Sequence, residues 1–108
     1  MEKLDLPQGT MDLLVLQVLS GGEMHGWGIA QKLTVLSKEA LQLQEGTLYP
    51  ALYRMEAKGW IASEWAQSDN NRRAKYYSLT RVGRKRLEEE KRSWDRLAAV
   101  VSAIIDPA

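Results

Sequence analysis

The chain has 108 residues, 44% of them apolar, which is enough for one compact domain with a modest core. It has no cysteine and a single histidine, His25, so disulfides, thiol catalysis and zinc–thiolate sites are excluded and a histidine metal cage is disfavoured. The sequence has neither an apolar run of about eighteen residues nor an export signal, so we expect a cytoplasmic protein without a membrane segment.

The net charge of +1 conceals an uneven distribution along the chain. Residues 1–71 hold five basic and nine acidic side chains, residues 72–92 hold nine basic and three acidic ones, and residues 93–108 hold one basic and two acidic ones. A basic segment of this kind forms either a solvated helix face or a site for a polyanion, and charge alone does not decide between them.

Two helices are predicted in the first third of the chain. An apolar segment at residues 11–19 follows Thr10, a plausible N-cap, and ends at a Ser-Gly-Gly sequence, which is typical of a buried helix. A second helix is predicted over residues 27–36. The intervening segment has the length of a helix-to-helix turn.

A third helix is predicted from about residue 45 to residue 58, ending at Gly59, which can adopt the left-handed conformation. Pro50 favours a start near Gly46 or Thr47, because proline is best tolerated in the first turn. At 100° per residue the helix has an apolar face and a mixed outer face. The apolar face comprises Leu48, Ala51, Leu52 and Met55, and the outer face comprises Thr47, Pro50, Tyr53 and Arg54.

After Gly59 the pattern alternates with a period of two, which predicts a β-hairpin. The two runs flank a cluster of turn-forming residues at 68–71, and we expect Arg72, Arg73 and Lys75 to lie at the tip of the hairpin. An isolated hairpin is marginal in water, so we expect its ends to pack on the helices through Trp60, Ile61, Tyr77 and Leu79.

A last helix of about 25 residues, roughly 38 Å long, is predicted between Thr80 as N-cap and Pro107 as stop. Its apolar positions are spaced by seven, three, four and three residues, with Glu90 interrupting the stripe. They are Leu87, Trp94, Leu97, Val101 and Ile104. Since one small domain cannot cover this whole stripe, we expect a second copy of the chain to pair with it.

The fold predicted from this order of elements is mainly α with a β-hairpin wing. It is a winged helix-turn-helix over residues 1–80 plus a long C-terminal dimerisation helix over residues 81–108, together forming one compact unit. In such folds the third helix enters the major groove and the wing contacts the DNA backbone or the minor groove. The basic segment then has a natural partner in double-stranded DNA.

Four segments carry a resemblance to a known family: HGWGI at 25–29, QEGTLYPAL at 44–52, EAKGWI at 56–61 and RRAKYYSLTRVG at 72–83. Together they resemble the PadR family of bacterial transcriptional regulators over residues 8–86, in its short subfamily with a single C-terminal helix. The resemblance implies a homodimeric repressor, often of genes for detoxification, phenolic-acid response or multidrug export, that a ligand or another signal releases from its operator. Trp27 stands where the family often has tyrosine, and Asp69 weakens the basic field of the wing.

The candidate sites follow from this fold. We expect DNA contacts from Gly46, Thr47, Tyr49, Pro50, Tyr53, Arg54, Arg72, Arg73 and Lys75. We expect a dimer interface, with room for a small apolar or aromatic effector, at Leu87, Trp94, Leu97, Val101 and Ile104. Neither a cofactor nor a metal is expected, and His25 lacks the partners that catalysis would need.

The expected DNA partner is an inverted-repeat operator, because a two-fold dimer presents two equivalent recognition helices. The alternative is a winged helix that contacts another protein without recognising a DNA sequence, since a fold does not fix a function. An enzymatic role is disfavoured, because the sequence has no catalytic constellation.

Overall fold

A computed structural model describes residues 6–107 of the chain. In this part the chain forms four helices and one three-stranded antiparallel sheet. The elements in chain order are α1 (Gln8–Leu19), β1 (Met24–His25), α2 (Gly26–Leu36), α3 (Glu45–Ala57), β2 (Ile61–Gln67), β3 (Arg73–Leu79) and α4 (Arg81–Ile105). The predicted winged helix-turn-helix with a long last helix is confirmed.

The structure differs from the sequence prediction at the start of the chain. The N-cap of α1 is Pro7, whose carbonyl accepts hydrogen bonds from the amides of Thr10 and Met11, so the assignment of Thr10 as N-cap is wrong. Strand β1 was not predicted, because two residues carry no periodicity of their own. Its register comes from β3, where Met24 pairs with Tyr77 and His25 with Tyr76. The sheet order is therefore β1-β3-β2.

Helices α2 and α4 each begin directly after a strand of the sheet, and a side chain caps the N-terminus of each helix. The Nδ1 atom of His25 accepts a hydrogen bond from the amide of Gly28 at 2.9 Å, and so caps α2. Thr80 caps α4 as predicted, because its Oγ1 accepts from the amide of Gly83, also at 2.9 Å. His25 is therefore both the last residue of β1 and the N-cap of α2, which is a structural role.

The core lies where α1, α2 and α3 meet the base of the hairpin. Its fully buried side chains are Val15, Leu16, Leu19, Ile29, Leu48, Leu52, Met55 and Ile61. The predicted apolar face of α3 is confirmed, and Ile61 and Tyr77 anchor the hairpin to this core, with Trp60 and Leu79 packed against it. The wing is thus held at its base while its tip extends into solvent.

Helix α4 divides into two parts. Leu87 is only 3% exposed and belongs to the core of its own chain, so its assignment to a dimer interface is wrong. The apolar side chains after Glu90 are exposed instead, namely Trp94, Leu97, Val100, Val101, Ile104 and Ile105. Among residues 6–107, no α-helix combines the length and the hydropathy that a membrane-spanning segment requires.

Candidate nucleic-acid interface

The outer face of α3 is formed by exposed residues at its beginning. They are Gly46, Thr47, Tyr49, Pro50 and Tyr53. The helix starts at Glu45, after Gln44, whose carbonyl accepts hydrogen bonds from the amides of Thr47 and Leu48 at 3.0 Å. Pro50 accordingly lies in the second turn, where it cannot donate to the carbonyl of Gly46. This part of α3 presents a hydroxyl and two phenols to solvent, groups that suit contacts with phosphates and base edges.

Tyr49 has a structural contact as well as an exposed ring. A Cβ atom on Gly26 would lie 2.6 Å from Cε1 of Tyr49, so the Tyr49 ring packs directly on this glycine and would have to shift if residue 26 carried a side chain. This contact joins the beginning of α3 to the first turn of α2. The HGWGI and GTLYP segments therefore meet in space at one point of the helix-turn-helix.

Arg54 lies at the edge of the outer face of α3, and its side chain is directed toward α1. Its Nη2 atom pairs with Oδ1 of Asp12 on α1, and Asp12 is only 5% exposed. Burial raises the pKa of the Asp12 carboxyl, and the charge of Arg54 opposes that rise. The guanidinium of Arg54 is thus paired with a carboxylate of its own chain, which disfavours the DNA contact predicted for Arg54.

The wing places two cations at its end and one below it. The turn at residues 68–72 is closed by the amide of Ser68, which donates to the carbonyl of Arg72 at 2.7 Å. Arg72 and Arg73 are exposed, as predicted. Lys75 is not at the tip, because it pairs across the hairpin with Trp65, and its Nζ atom lies 3.4 Å from Oε1 of Glu56.

A groove of about 670 Å³ separates the wing from the start of α2 and α3. Its lining combines the cations of the wing, Arg72, Arg73 and Lys75, with aromatic rings from both sides, Trp27, Tyr49, Trp65 and Tyr77. Asp69 is the acidic residue in the same lining. Burial at the base of the groove raises the pKa of the Tyr77 hydroxyl above its ordinary value.

Two tryptophans in this groove were missed by sequence reasoning. Trp27 is 62% exposed and Trp65 is 59% exposed. The guanidinium carbon of Arg73 lies 5.9 Å from the centre of the Trp65 ring, within range of a cation–π contact. The alternating pattern already placed Trp65 on the same face of β2 as buried Ile61. The alternating pattern did not indicate that this face of β2 extends beyond the core into an open groove.

Similarity to known proteins, in sequence and in structure, identifies the family of this chain and agrees with the groove described above. A sequence model described as the transcriptional regulator PadR-like family matches residues 15–89. This chain belongs to the PadR-like family.

Individual relatives extend this similarity to about nine tenths of the PadR-like chain. It is 33% identical to the transcriptional regulator Rv3488 of Mycobacterium tuberculosis over 97 residues, which cover 90% of this chain and 87% of that protein. A PadR family transcription regulator from Clostridium difficile is 35% identical, with a TM-score of 0.76 over 88% of this chain and 97% of that one. A regulator from Clostridium thermocellum gives a TM-score of 0.84 at 26% identity, over 92% and 96% of the two chains.

The PadR-like family and its fold are those of transcriptional regulators that act on DNA, not of enzymes.

The structure also explains the glycine at the end of the RRAKYYSLTRVG segment, Gly83. A Cβ atom on Gly83 would lie 1.9 Å from the carbonyl oxygen of Trp60. The first turn of α4 therefore packs directly on the backbone that enters the wing.

Proposed function

We propose that this PadR-like regulator is a homodimeric repressor that binds an inverted-repeat operator and leaves it in response to an effector or another signal. The groove supports the proposed DNA contacts, because it brings the exposed start of α3 and the cations of the wing to one side of the molecule. The beginning of α3 enters the major groove, and the wing follows the adjacent backbone.

The contacts divide into two classes. Gly46, Thr47, Tyr49, Pro50 and Tyr53 form the surface of α3 that faces base edges and nearby phosphates. Arg72 and Arg73 contact phosphates or the minor groove, and Lys75 adds positive charge that Glu56 partly offsets. Trp27 and Trp65 add apolar contact with the sugars of the backbone on either side of the groove.

The dimer forms through the second half of α4. Its exposed apolar side chains share one face of the helix, and a two-fold partner with the same face buries both. Such pairing would hold two copies of α3 about one turn of DNA apart, roughly 34–36 Å. Trp94, half-exposed in the single chain, lies at the start of this face and is the residue against which a flat apolar effector would pack.

A salt titration separates this function from a role in binding proteins. The measurement is the dissociation constant for a random-sequence duplex at about 50 mM and about 200 mM salt. We expect steep weakening, because each phosphate contact releases a counterion. Binding that is absent or insensitive to salt would favour a winged helix used for protein contacts.

A pair of matched variants tests the dimer. Leu97→Asp places a charge in the proposed interface, whereas Ala99→Asp places the same charge about 200° around the helix. We expect Leu97→Asp to sediment as a monomer that binds an inverted-repeat duplex weakly, because a buried unpaired charge is costly and linkage of the two half-sites is lost. Ala99→Asp should remain a dimer. A dimeric Leu97→Asp protein would contradict this interface.

A further inference from the structure

A second cavity, of about 650 Å³, lies between α2 and α3 beside the groove of the wing. Gly26, Trp27 and Tyr49 line both the groove and this second cavity, so the two are neighbours on the helix-turn-helix. The second cavity extends to the first turn of α3, where Glu45 and Gly46 form part of its wall. A duplex that meets the exposed start of α3 would therefore also meet this cavity.

The groove and the second cavity differ in charge. Three cations line the groove, whereas no arginine or lysine of the described residues lines the second cavity, whose charged residue is Glu45. A carboxylate repels phosphates, so the second cavity is unsuited to the DNA backbone. The edges of base pairs in the major groove carry hydrogen-bonding groups and thymine methyl groups without a net charge. They are the part of DNA that this cavity suits.

The lining of the second cavity combines exposed carboxamides with an apolar wall. Gln31 and Gln44 are exposed, Ala30 and Leu43 are half-buried, and Leu48 is buried. A carboxamide donates one hydrogen bond and accepts another, which matches N7 and N6 of adenine. Thymine, the partner of adenine, adds a methyl group that an apolar wall accommodates. The lining therefore matches an A·T pair.

The carboxamide of Gln44 is not used to cap its own helix. Gln44 is the N-cap of α3, a position where a short polar side chain commonly accepts a hydrogen bond from the first turn. Its side chain makes no capping hydrogen bond, and the amides of Thr47 and Leu48 donate instead to its backbone carbonyl. The N-terminal residues of a recognition helix are those that contact base edges. Gln44 thus stands where a base-reading side chain is expected.

We infer that Gln44 is a specificity-determining residue that reads an adenine of the operator, with the methyl group of a thymine against the apolar wall of the second cavity. This inference rests on the proposed sequence-specific DNA binding. Guanine is disfavoured at the same position, because its N7 and O6 both accept hydrogen bonds and the neighbouring carboxylate of Glu45 is an acceptor as well.

The test uses the full chain and selection of bound sequences from a randomised duplex pool. The selection is repeated with Gln44→Ala, with Gln44→Glu and with Gln42→Ala. Gln42→Ala is the matched control, because Gln42 is exposed just before α3 and does not line the second cavity. Dissociation constants are then measured for the selected operator and for duplexes changed at one base pair. All three variants should remain folded, because both glutamines are exposed.

We expect Gln44→Ala to lose the preference for adenine at one position of the half-site, by roughly fivefold to 150-fold, and to keep its preferences elsewhere. Gln44→Glu should prefer cytosine at that position, because a carboxylate accepts a hydrogen bond from N4 of cytosine. Gln42→Ala should select the same operator as the unmodified protein.

Base analogues in the operator test the two contacts separately. Replacing the adenine with 7-deazaadenine removes N7 and should weaken binding of the unmodified protein roughly twofold to tenfold, with no effect on Gln44→Ala. Replacing the thymines with uracil, one at a time, should weaken binding roughly fourfold at one position, because one methyl group is no longer buried.

The outcomes separate this inference from the proposed function. If Gln44→Ala selects an unchanged operator, or loses affinity equally for every duplex, Gln44 does not read a base, while the proposed function stands. Uracil that has no effect at any position would refute the thymine contact. An unmodified protein that selects no sequence would refute the proposed function together with this inference.

Discussion

Removal of the two arginines at the wing tip should change the salt dependence of DNA binding by a calculable amount. Arg72 and Arg73 are both exposed and both line the groove. If each contacts a phosphate, the double variant Arg72→Ala/Arg73→Ala loses about 1.8 from the log–log salt slope per monomer, at about 0.9 per contact, and about 3.6 per dimer. Between about 50 and about 200 mM salt, the unmodified dimer should then weaken roughly 150-fold more than the variant.

Fluorescence anisotropy with a labelled duplex at several salt concentrations measures this slope directly. The matched control is Arg84→Ala/Lys85→Ala, which removes the same charge from exposed positions on α4 that do not line the groove. Thermal denaturation should show that both variants remain folded, because all four side chains are exposed. A slope that stays unchanged in the wing variant, or falls equally in the control, would refute the contacts assigned to the wing.

Three other substitutions test separate parts of the structure. Gly83→Ala should lower the free energy of unfolding by about 1–3 kcal/mol or more in urea denaturation, because the new Cβ meets the Trp60 carbonyl. Gly46→Ala is the control, since a Cβ at residue 46 has open space and should not destabilise the fold. Equal effects of the two substitutions would contradict this packing. Asp12→Asn should remove a pH dependence of the free energy of unfolding, because the pKa of Asp12 is raised above 3.8 in the folded protein. The contribution of Asp12 to stability is therefore complete below pH 3.8 and is lost as the pH rises through the folded-state pKa. The free energy of unfolding of the unmodified protein relative to Asp12→Asn should fall with rising pH, and a difference that grows with pH would refute this reasoning. Trp65→Ala should lower DNA affinity roughly tenfold if the indole buries about 55 Å² of apolar surface, with an unchanged salt slope since no counterion is involved; a changed slope would assign the effect to Arg73 instead.

Local rules of sequence predicted the features that depend on a few neighbouring residues. Thr80 caps α4 because its side chain reaches an amide three residues later, and Gly59 ends α3 with a φ of +78°, a left-handed conformation that glycine adopts at little cost. The exposed and buried faces of α3 follow from a helical period that extends over more than three turns. The order of these elements was enough to predict the fold.

Features that depend on a distant partner could not be predicted in this way. Arg54 lies at the edge of the outer face of α3, and only the fold shows that Asp12, 42 residues earlier, captures it. Leu87 has the same heptad spacing as the exposed apolar residues that follow Glu90 on α4, so the spacing alone could not show that Leu87 packs in the core of its own chain. Strand β1 exists because β3 lies beside it.

The candidate interface was predicted in outline and completed by the structure. The exposed start of α3 and the arginines of the wing tip followed from periodicity and turn chemistry. The position of Lys75 did not, because the hairpin register, which pairs it with Trp65, determines how far it lies from the tip. Trp27 gave no signal in the sequence beyond its aromatic character, since its exposure depends on how α2 packs against α3.

Selection of bound sequences from a randomised duplex pool tests the central claim most directly. The purified full chain is mixed with the pool, bound duplexes are recovered and amplified over several rounds, and the enriched sequences are compared with the input. We expect an inverted repeat whose half-site centres lie about one turn of DNA apart, roughly 34–36 Å. A bound pool with the same sequence composition as the input would contradict a sequence-specific dimeric regulator.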